Sequence, residues 1–311
     1  MKKIICKVKL QDEEIDKLIG QYPTDDTYDT LINEDCDGYN EEGKLLFRFR
    51  KNCIPTNVAK QAYPFLRKAG AVTSNNRGQS AGPFDNVKVG DKVDGLTVGK
   101  LVSGNRFIPL KKDGTYSNSP KAKQVRSNVI GYLDRVVRIP FCRTTEYTRK
   151  HFEEYKSALP FIKAIDDVYR INEPEKYAIQ KGFADKTSQD FVIKGTAFTT
   201  VTVNKNFKTA CHYDKGDLPN GFGNLAVLQA GDYDGSYTVM PKYGVAFDVR
   251  SCDVCLFDVH ELHGNTPITS KGYYERIAIV CYYRTNMEHC GNAQQELEKA
   301  KHRQVGDKIK W

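Results

Sequence analysis

The sequence predicts an α+β protein, an antiparallel β-sandwich or jelly-roll barrel braced from outside by helices and preceded by an N-terminal elaboration. Three observations carry this. After Lys181 the chain breaks into short β-type runs separated by turn residues, "FVIKGTAFTTVTVN", "NLAVLQAG", "YTVM", "GVAFDV", "VCLFDV" and "RIAIVCYYRT", with no helical period between them. Before that point the apolar spacing is helical in two long stretches. With 311 residues at 40% hydrophobic composition, the chain can bury one large core.

Taken in order, residues 11–19 read as a short helix and 23–42 as an acidic loop ending at Gly43. "KLLFRFR" is a strand candidate, and "PTNVAKQAYPFLRKAG" a helix whose end Gly70 marks. "SNNRGQSAGPFD" is a glycine-punctuated loop, and 86–104 holds short strands and turns. "NVIGYLDR" and "RIPFCRTTEYT" lead into the helical "TRKHFEEYKSALPFIKAIDDVYRIN", which Pro160 should kink or divide. Residues 182–286 then form the β-core, and "QQELEKAKHRQVGDKIKW" reads as a charged terminal helix. The division expected is an N-terminal elaboration over 1–125 with a basic loop at 100–128, a β-domain with its preceding helices over 126–290, and the charged helix over 291–311.

The net charge of +8 is unevenly spread. Residues 1–42 carry twelve acids against five lysines, a net −7, so the remainder carries +15. Lys100, Arg106, Lys111, Lys112, Lys121, Lys123 and Arg126 crowd into 100–128 opposite only Asp113. Such a segment either tracks phosphates, displacing condensed counterions, or is a solvated loop. Lys7 and Lys9 interrupt the apolar run of "MKKIICKVKLQD", so no signal or membrane segment is expected there. Nine cysteines without a framework read as reduced, buried thiols. The expectation is a soluble protein of a reducing intracellular compartment, cytoplasm or nucleus, neither secreted nor membrane-bound, with no obligate protein partner evident.

The chemistry concentrates in "CHYDKGDLPNGFGNLAVL". His212 and Asp214 are two apart, and in extended backbone such residues face the same side. A third ligand is needed, and "FDVHELHGNTP" offers His260 or His263 about fifty residues on. Two ligands from one strand and an imidazole from another make a 2-His-1-carboxylate face, which leaves open positions on Fe(II) for a chelating co-substrate and dioxygen. The histidines of "HELH" are i and i+3, not the i and i+4 of a zinc-protease helix. Cys252 and Cys255 lack a second pair for zinc. Arg276 shares a strand face with Ala278, Val280 and Tyr282, so its guanidinium points along an apolar interior face and requires an anion. A dicarboxylate co-substrate, Glu275 or an internal aspartate would each answer that requirement.

The order strand, His-x-Asp, glycine turn, strands, "ELHGNTP", Arg-Ile, strand resembles the TET/JBP family of Fe(II)- and 2-oxoglutarate-dependent nucleic-acid dioxygenases. The likeness runs over roughly 125–286 and includes "VIGYLDR", "CRTTEYT", "TTVTVNKNFKTACHYDKGDL", "VAFDVRSCDVCLFDVHELHGNTPI" and "RIAIVCYYR". It implies a double-stranded β-helix of cupin-like kind, with His212, Asp214 and His263 holding iron and Arg276 binding the distal carboxylate of 2-oxoglutarate. "ELHGNTP" favours His263 over His260, leaving His260 at the surface or behind a ligand. The chain departs from the family's frequent glycines at Gly235-Ser236 and Cys252-Asp253, and from a hydroxyl at Ala278.

The resemblance further implies oxidation of the 5-methyl group of thymine or 5-methylcytosine in DNA, RNA not being excluded, with the base flipped out of the duplex to reach the site. Asn204 and Asp217 flank the metal pair and are candidates for orienting ligands or substrate, although Asp217 could equally cap the turn at Gly216. Arg77, Arg143, Lys121, Lys123 and Arg126 are candidate phosphate or base contacts. Because the triad reports the oxidant and not the substrate, a hydroxylase of proteins or small molecules and a non-catalytic nucleic-acid-binding module stand as alternatives.

Overall fold

The computed structural model describes residues 1–303. Its largest sheet has ten strands, and the path through it runs Lys2–Cys6, Cys36–Asn40, Leu45–Arg50, Val254–Phe257, Gly223–Gly231, Tyr274–Tyr282, Thr200–Lys205, Val125–Leu133 and Arg143–Thr144, with Thr73–Ser74 paired to the start of Val125–Leu133. A smaller sheet is ordered Gly264–Asn265, Thr238–Met240, Val245–Phe247 and Thr30–Ile32. Pairing is antiparallel except where the N-terminal segment joins: Lys2–Cys6 runs parallel to Cys36–Asn40, and Thr30–Ile32 parallel to Val245–Phe247.

The central strands read as almost unbroken apolar runs because both of their faces are covered. On Gly223–Gly231, Leu225 and Val227 enter the core between the sheets with Phe47, Phe49, Phe247 and Phe257, whereas Ala226 and Leu228 face the helical layer. Strand Tyr274–Tyr282 repeats this, with Ile277, Ile279 and Cys281 under the helices and Ala278 on the other side. Helices Thr56–Gly70 and Leu159–Asn172 supply Phe65, Leu66, Phe161, Ile165 and Tyr169 to that layer. None of the described helices is long and apolar enough to cross a membrane.

Several expectations need correction. The acidic stretch 23–42 is not a loop: Thr30–Ile32 and Cys36–Asn40 are strands, hidden in the sequence because their partners are remote. The sheet therefore extends well beyond 182–286, although within "FVIKGTAFTTVTVN" only Thr200–Lys205 is strand. The basic segment 100–128 is likewise not a loop. Lys92–Val93, Leu96–Ser103, Arg106–Leu110 and Lys121–Ala122 form a separate four-stranded sheet, and Val125–Leu133 enters the main one. Of the two outcomes expected at Pro160, the helical stretch is divided and not kinked: Pro160 lies in the first turn of Leu159–Asn172, where a missing N–H costs nothing, and two short helices, Glu146–Lys150 and Phe152–Lys156, precede it. The nine cysteines are not all free: Cys142 and Cys290, 148 residues apart, form a disulfide, while the other seven remain thiols and six of these are buried. The terminal helix is Ala293–Lys301, opened by a capping box of Asn292 and Gln295; the rest of the expected helix, 304–311, lies outside the described residues.

Candidate metal centre and substrate pocket

His212 and Asp214 lie beyond the end of strand Thr200–Lys205, not on it. What holds them extended is a one-pair bridge with the "ELHGNTP" segment: His212 N–H donates to His263 O (2.9 Å) and His263 N–H donates to His212 O (3.1 Å). Directly opposed residues of an antiparallel pair project to one side, so the two rings meet with centroids 4.5 Å apart. Asp214 N–H donates to Val259 O (3.1 Å), and its carboxylate reaches both rings, 3.5 Å from His212 Nε2 and 3.7 Å from His263 Nε2. The three side chains together offer ligand atoms all within 4.8 Å of one another.

Each imidazole is also fixed from behind. Nδ1 of His212 lies 2.8 Å from Ala210 O, and Nδ1 of His263 lies 3.0 Å from Glu261 O. A carbonyl can only accept, so Nδ1 carries a proton in both and Nε2 is the ring atom turned toward Asp214 and available to a metal. Burial, reinforced by the neighbouring His212, holds His263 neutral by lowering its pKa to about 4. Gly264 permits the close approach: a Cβ there would meet Cys211 N at 2.9 Å and Thr209 O at 3.1 Å.

Arg276 is buried on strand Tyr274–Tyr282, and among the described residues its Nε and Nη2 have no hydrogen-bond partner. Burial lowers its pKa. Glu275 is not its counterion. Strand alternation turns Glu275 to the opposite face, where Lys205, Arg67 (2.5 Å) and Tyr63 (2.6 Å) hold it. The orphaned guanidinium and the triad both line a cavity of about 300 Å³, shared with Asn204, Asp217, Arg77, Thr202, Tyr282 and Arg284.

Asn204 accepts a hydrogen bond from the Ser127 hydroxyl through its Oδ1. Asp217 is buried against Asp214, and this burial and the second carboxylate push its pKa well up despite the nearby Arg284. Asp217 lines the cavity. His260 pairs with Asp258 at 3.2 Å and is absent from the cavity lining.

The other candidates do not converge there. Arg143 donates to Asp134 O (3.0 Å) and lines a separate shallow groove with Arg149. Lys121 and Arg126 are exposed on strands, and Lys123 is tied to Tyr22 (2.9 Å) and Pro83 O (2.6 Å). Sequence reading missed Arg284, which pairs with Asp134 at 2.7 Å at the cavity wall; continuing the parity of Arg276, Ala278, Val280 and Tyr282 by one more step would have found it. Both glycine departures have a backbone consequence, since Ser236 (φ 55°) and Cys252 (φ 68°) occupy the left-handed region that glycine favours.

Two histidines and a carboxylate beside a buried, anion-seeking arginine, on a scaffold of two sheets, define the class of Fe(II)- and 2-oxoglutarate-dependent oxygenases. Residues 131–285 match the oxygenase domain of the 2OGFeDO superfamily as represented by Tet_JBP, and the chain belongs to the TET/JBP family. Members of the superfamily use Fe(II), 2-oxoglutarate and dioxygen. Similar proteins include thymine dioxygenase JBP1 of Trypanosoma brucei brucei, 38% identical over 164 residues, which are 51% of this chain and 19% of that protein. The bifunctional helicase and thymine dioxygenase JBP2 of Leishmania infantum is 33% identical over 179 residues, 57% of this chain and 16% of that protein. The chain thus spans under a fifth of the length of these curated relatives. Among solved structures, NgTET1 in complex with 5mC DNA shares the fold at a TM-score of 0.55 and 12% identity, covering 88% of this chain and 86% of that one.

Proposed function

We propose that this protein oxidises the 5-methyl group of a pyrimidine, 5-methylcytosine or thymine, in DNA, using Fe(II), 2-oxoglutarate and dioxygen. One observation carries the reading: the His212–Asp214–His263 cluster and the guanidinium of Arg276, whose Nε and Nη2 have no partner among the described residues, open on a single cavity whose other walls mix polar and apolar side chains. The donor set fits Fe(II), with two Nε2 atoms and one carboxylate converging. Arg276 fits the distal carboxylate of 2-oxoglutarate, because a bidentate ion pair would satisfy its two orphaned nitrogens. When bound, iron and 2-oxoglutarate supply an oxidant from dioxygen, the co-substrate leaving as succinate and carbon dioxide.

The chain's own residues do the positioning. Carbonyls of Ala210 and Glu261 keep both imidazoles in the metal-binding tautomer. Asn204 and Asp217 stand where they can hydrogen-bond an inserted base edge, and Tyr282 offers an aromatic surface. A methyl group inside a duplex cannot reach this recessed cavity, so base flipping belongs to the proposal. Arg77 at the cavity, with Arg143, Lys121 and Arg126 outside it, would contact phosphates. The facing sheets support a double-stranded β-helix for residues 126–290, with 1–125 as an elaboration that adds strands to it and 291–311 as an appended helix. An intracellular location follows from a DNA substrate.

The test supplies purified protein with Fe(II), 2-oxoglutarate and DNA carrying thymine or 5-methylcytosine, and measures succinate and oxidised nucleosides by mass spectrometry. Oxidised pyrimidine supports the reading. Product only from RNA, or succinate formed only with peptides or small molecules, overturns it.

A further inference from the structure

Resting on that reading, we propose that the separate sheet of residues 92–122 is a docking wing for the backbone of duplex DNA, and that it is fastened to the rim of the substrate cavity. It lies outside the residues that match the family. Residues 85–126 carry nine lysines and arginines against four aspartates, a net +5. Eight of the nine cations are exposed, and the only ion pair recorded for this segment among the described residues is Lys123–Asp85 at 3.9 Å. Asp91 and Asp113 engage local backbone amides rather than these cations, accepting from Lys88 N–H (2.8 Å) and Thr115 N–H (3.0 Å), and their charge is already counted in the net +5.

The cations are also arranged. Phe107 and Pro109 point inward, so Arg106 and Ile108 occupy the outer face, and the register places Lys100 opposite Ile108. Lys111 and Lys112 stand in the turn that follows. Unpaired cations on a rigid ribbon are what a regular polyanion recognises.

The seam to the cavity is continuous. Asn105 Nδ2 donates to Gly78 O (2.6 Å), and Phe84 N–H donates to Gly104 O (2.7 Å), fixing the wing to segment 78–84. On its other side that segment receives a hydrogen bond from Ala210 N–H to Ser80 O (2.9 Å), and Ala210 O is the group that orients His212. Arg77, Gln79 and Ser80 line the cavity itself. A duplex held on the wing is thereby held in register with the pocket, without any contact to bases.

The experiment replaces Lys100, Arg106, Lys111 and Lys112 together by Gln in the full chain and measures binding to a labelled duplex by fluorescence anisotropy across a salt series. At about 0.9 per phosphate contact, the log–log salt slope should become shallower by roughly 3–4, with Kd at low salt weakened at least about tenfold and the melting temperature unaltered. An unaltered slope and Kd would overturn the proposal, as would tighter wild-type binding of duplex RNA, or equal competition by poly-glutamate. Anisotropy needs no turnover, so the wing is judged even if no oxidised base is found. Conversely, oxidised base with no effect of the variant removes the wing and leaves the activity standing.

Discussion

His212 and His263, fifty-one positions apart in the chain, exchange both of their backbone hydrogen bonds, and this single bridge aims two imidazoles at one carboxylate. Its geometry depends on Gly264, whose absent side chain lets the two segments touch. Gly264→Ala should separate them by a few tenths of an ångström or more, costing about 1–3 kcal/mol of stability. Metal affinity, read by Co(II) titration, should fall about 10–100-fold, in the range seen when supports of a metal ligand are disturbed. Unchanged Co(II) affinity would show that the bridge does not set the ligand geometry.

Arg276 is a buried charge whose Nε and Nη2 lack a hydrogen-bond partner among the described residues, so removing it should have opposite effects on fold and function. Arg276→Gln should raise the thermal stability of the protein measured without 2-oxoglutarate, because an uncompensated charge leaves the interior. The same change should weaken 2-oxoglutarate binding by about 2–5 kcal/mol in calorimetry. Lower stability in the absence of 2-oxoglutarate would reveal an internal counterion.

Glu275, one residue away, presents the reverse case. It is buried among Lys205, Arg67 and Tyr63, and these hydrogen bonds overcome the cost of burial and hold its pKa well below its ordinary value of 4.5. A depressed carboxylate contributes stability above its unfolded pKa and loses it as pH falls toward the folded one. Glu275→Gln should therefore cost about 3–5 kcal/mol near neutrality. The gap between the wild-type and variant denaturation midpoints should narrow as pH drops below about 4.5. A gap independent of pH between neutrality and the acid limit would contradict the ion-pair account.

Arg284 offers a test of the cavity wall. Asp134 pairs with it at 2.7 Å, and the two residues join strand Val125–Leu133 to the end of strand Tyr274–Tyr282. Asp134→Asn should free the guanidinium, raising KM for the nucleic-acid substrate about 10-fold or more while Co(II) affinity holds, since a positioning contact is lost and the ligands are untouched. Equal losses in both measurements would mean that the pair only supports the fold.

The parts of this structure legible in the sequence are those governed by local periodicity. The strands at 223–231, 245–247, 254–257 and 274–282 follow from apolar runs between turns, and the strand parity of Arg276 gave its direction. Strands such as Thr30–Ile32 were not legible, because three residues in an acidic stretch become strand only by pairing with Val245–Phe247, over two hundred residues away. The disulfide between Cys142 and Cys290 is hidden for the same reason. Lys123 shows the limit for function: its composition-based reading as a phosphate contact does not reveal that Tyr22 and Pro83 already engage it.

In the function proposed above, the cavity shared by His212, Asp214, His263 and Arg276 oxidises a pyrimidine methyl group in DNA. Nucleoside mass spectrometry on DNA incubated with the protein, Fe(II), 2-oxoglutarate and air, beside Asp214→Ala, tests it most directly. 5-Hydroxymethylpyrimidine or its further oxidised forms, matched to succinate, are expected with the wild type and none with the variant. Succinate without any oxidised pyrimidine, or equal product from Asp214→Ala, would contradict it.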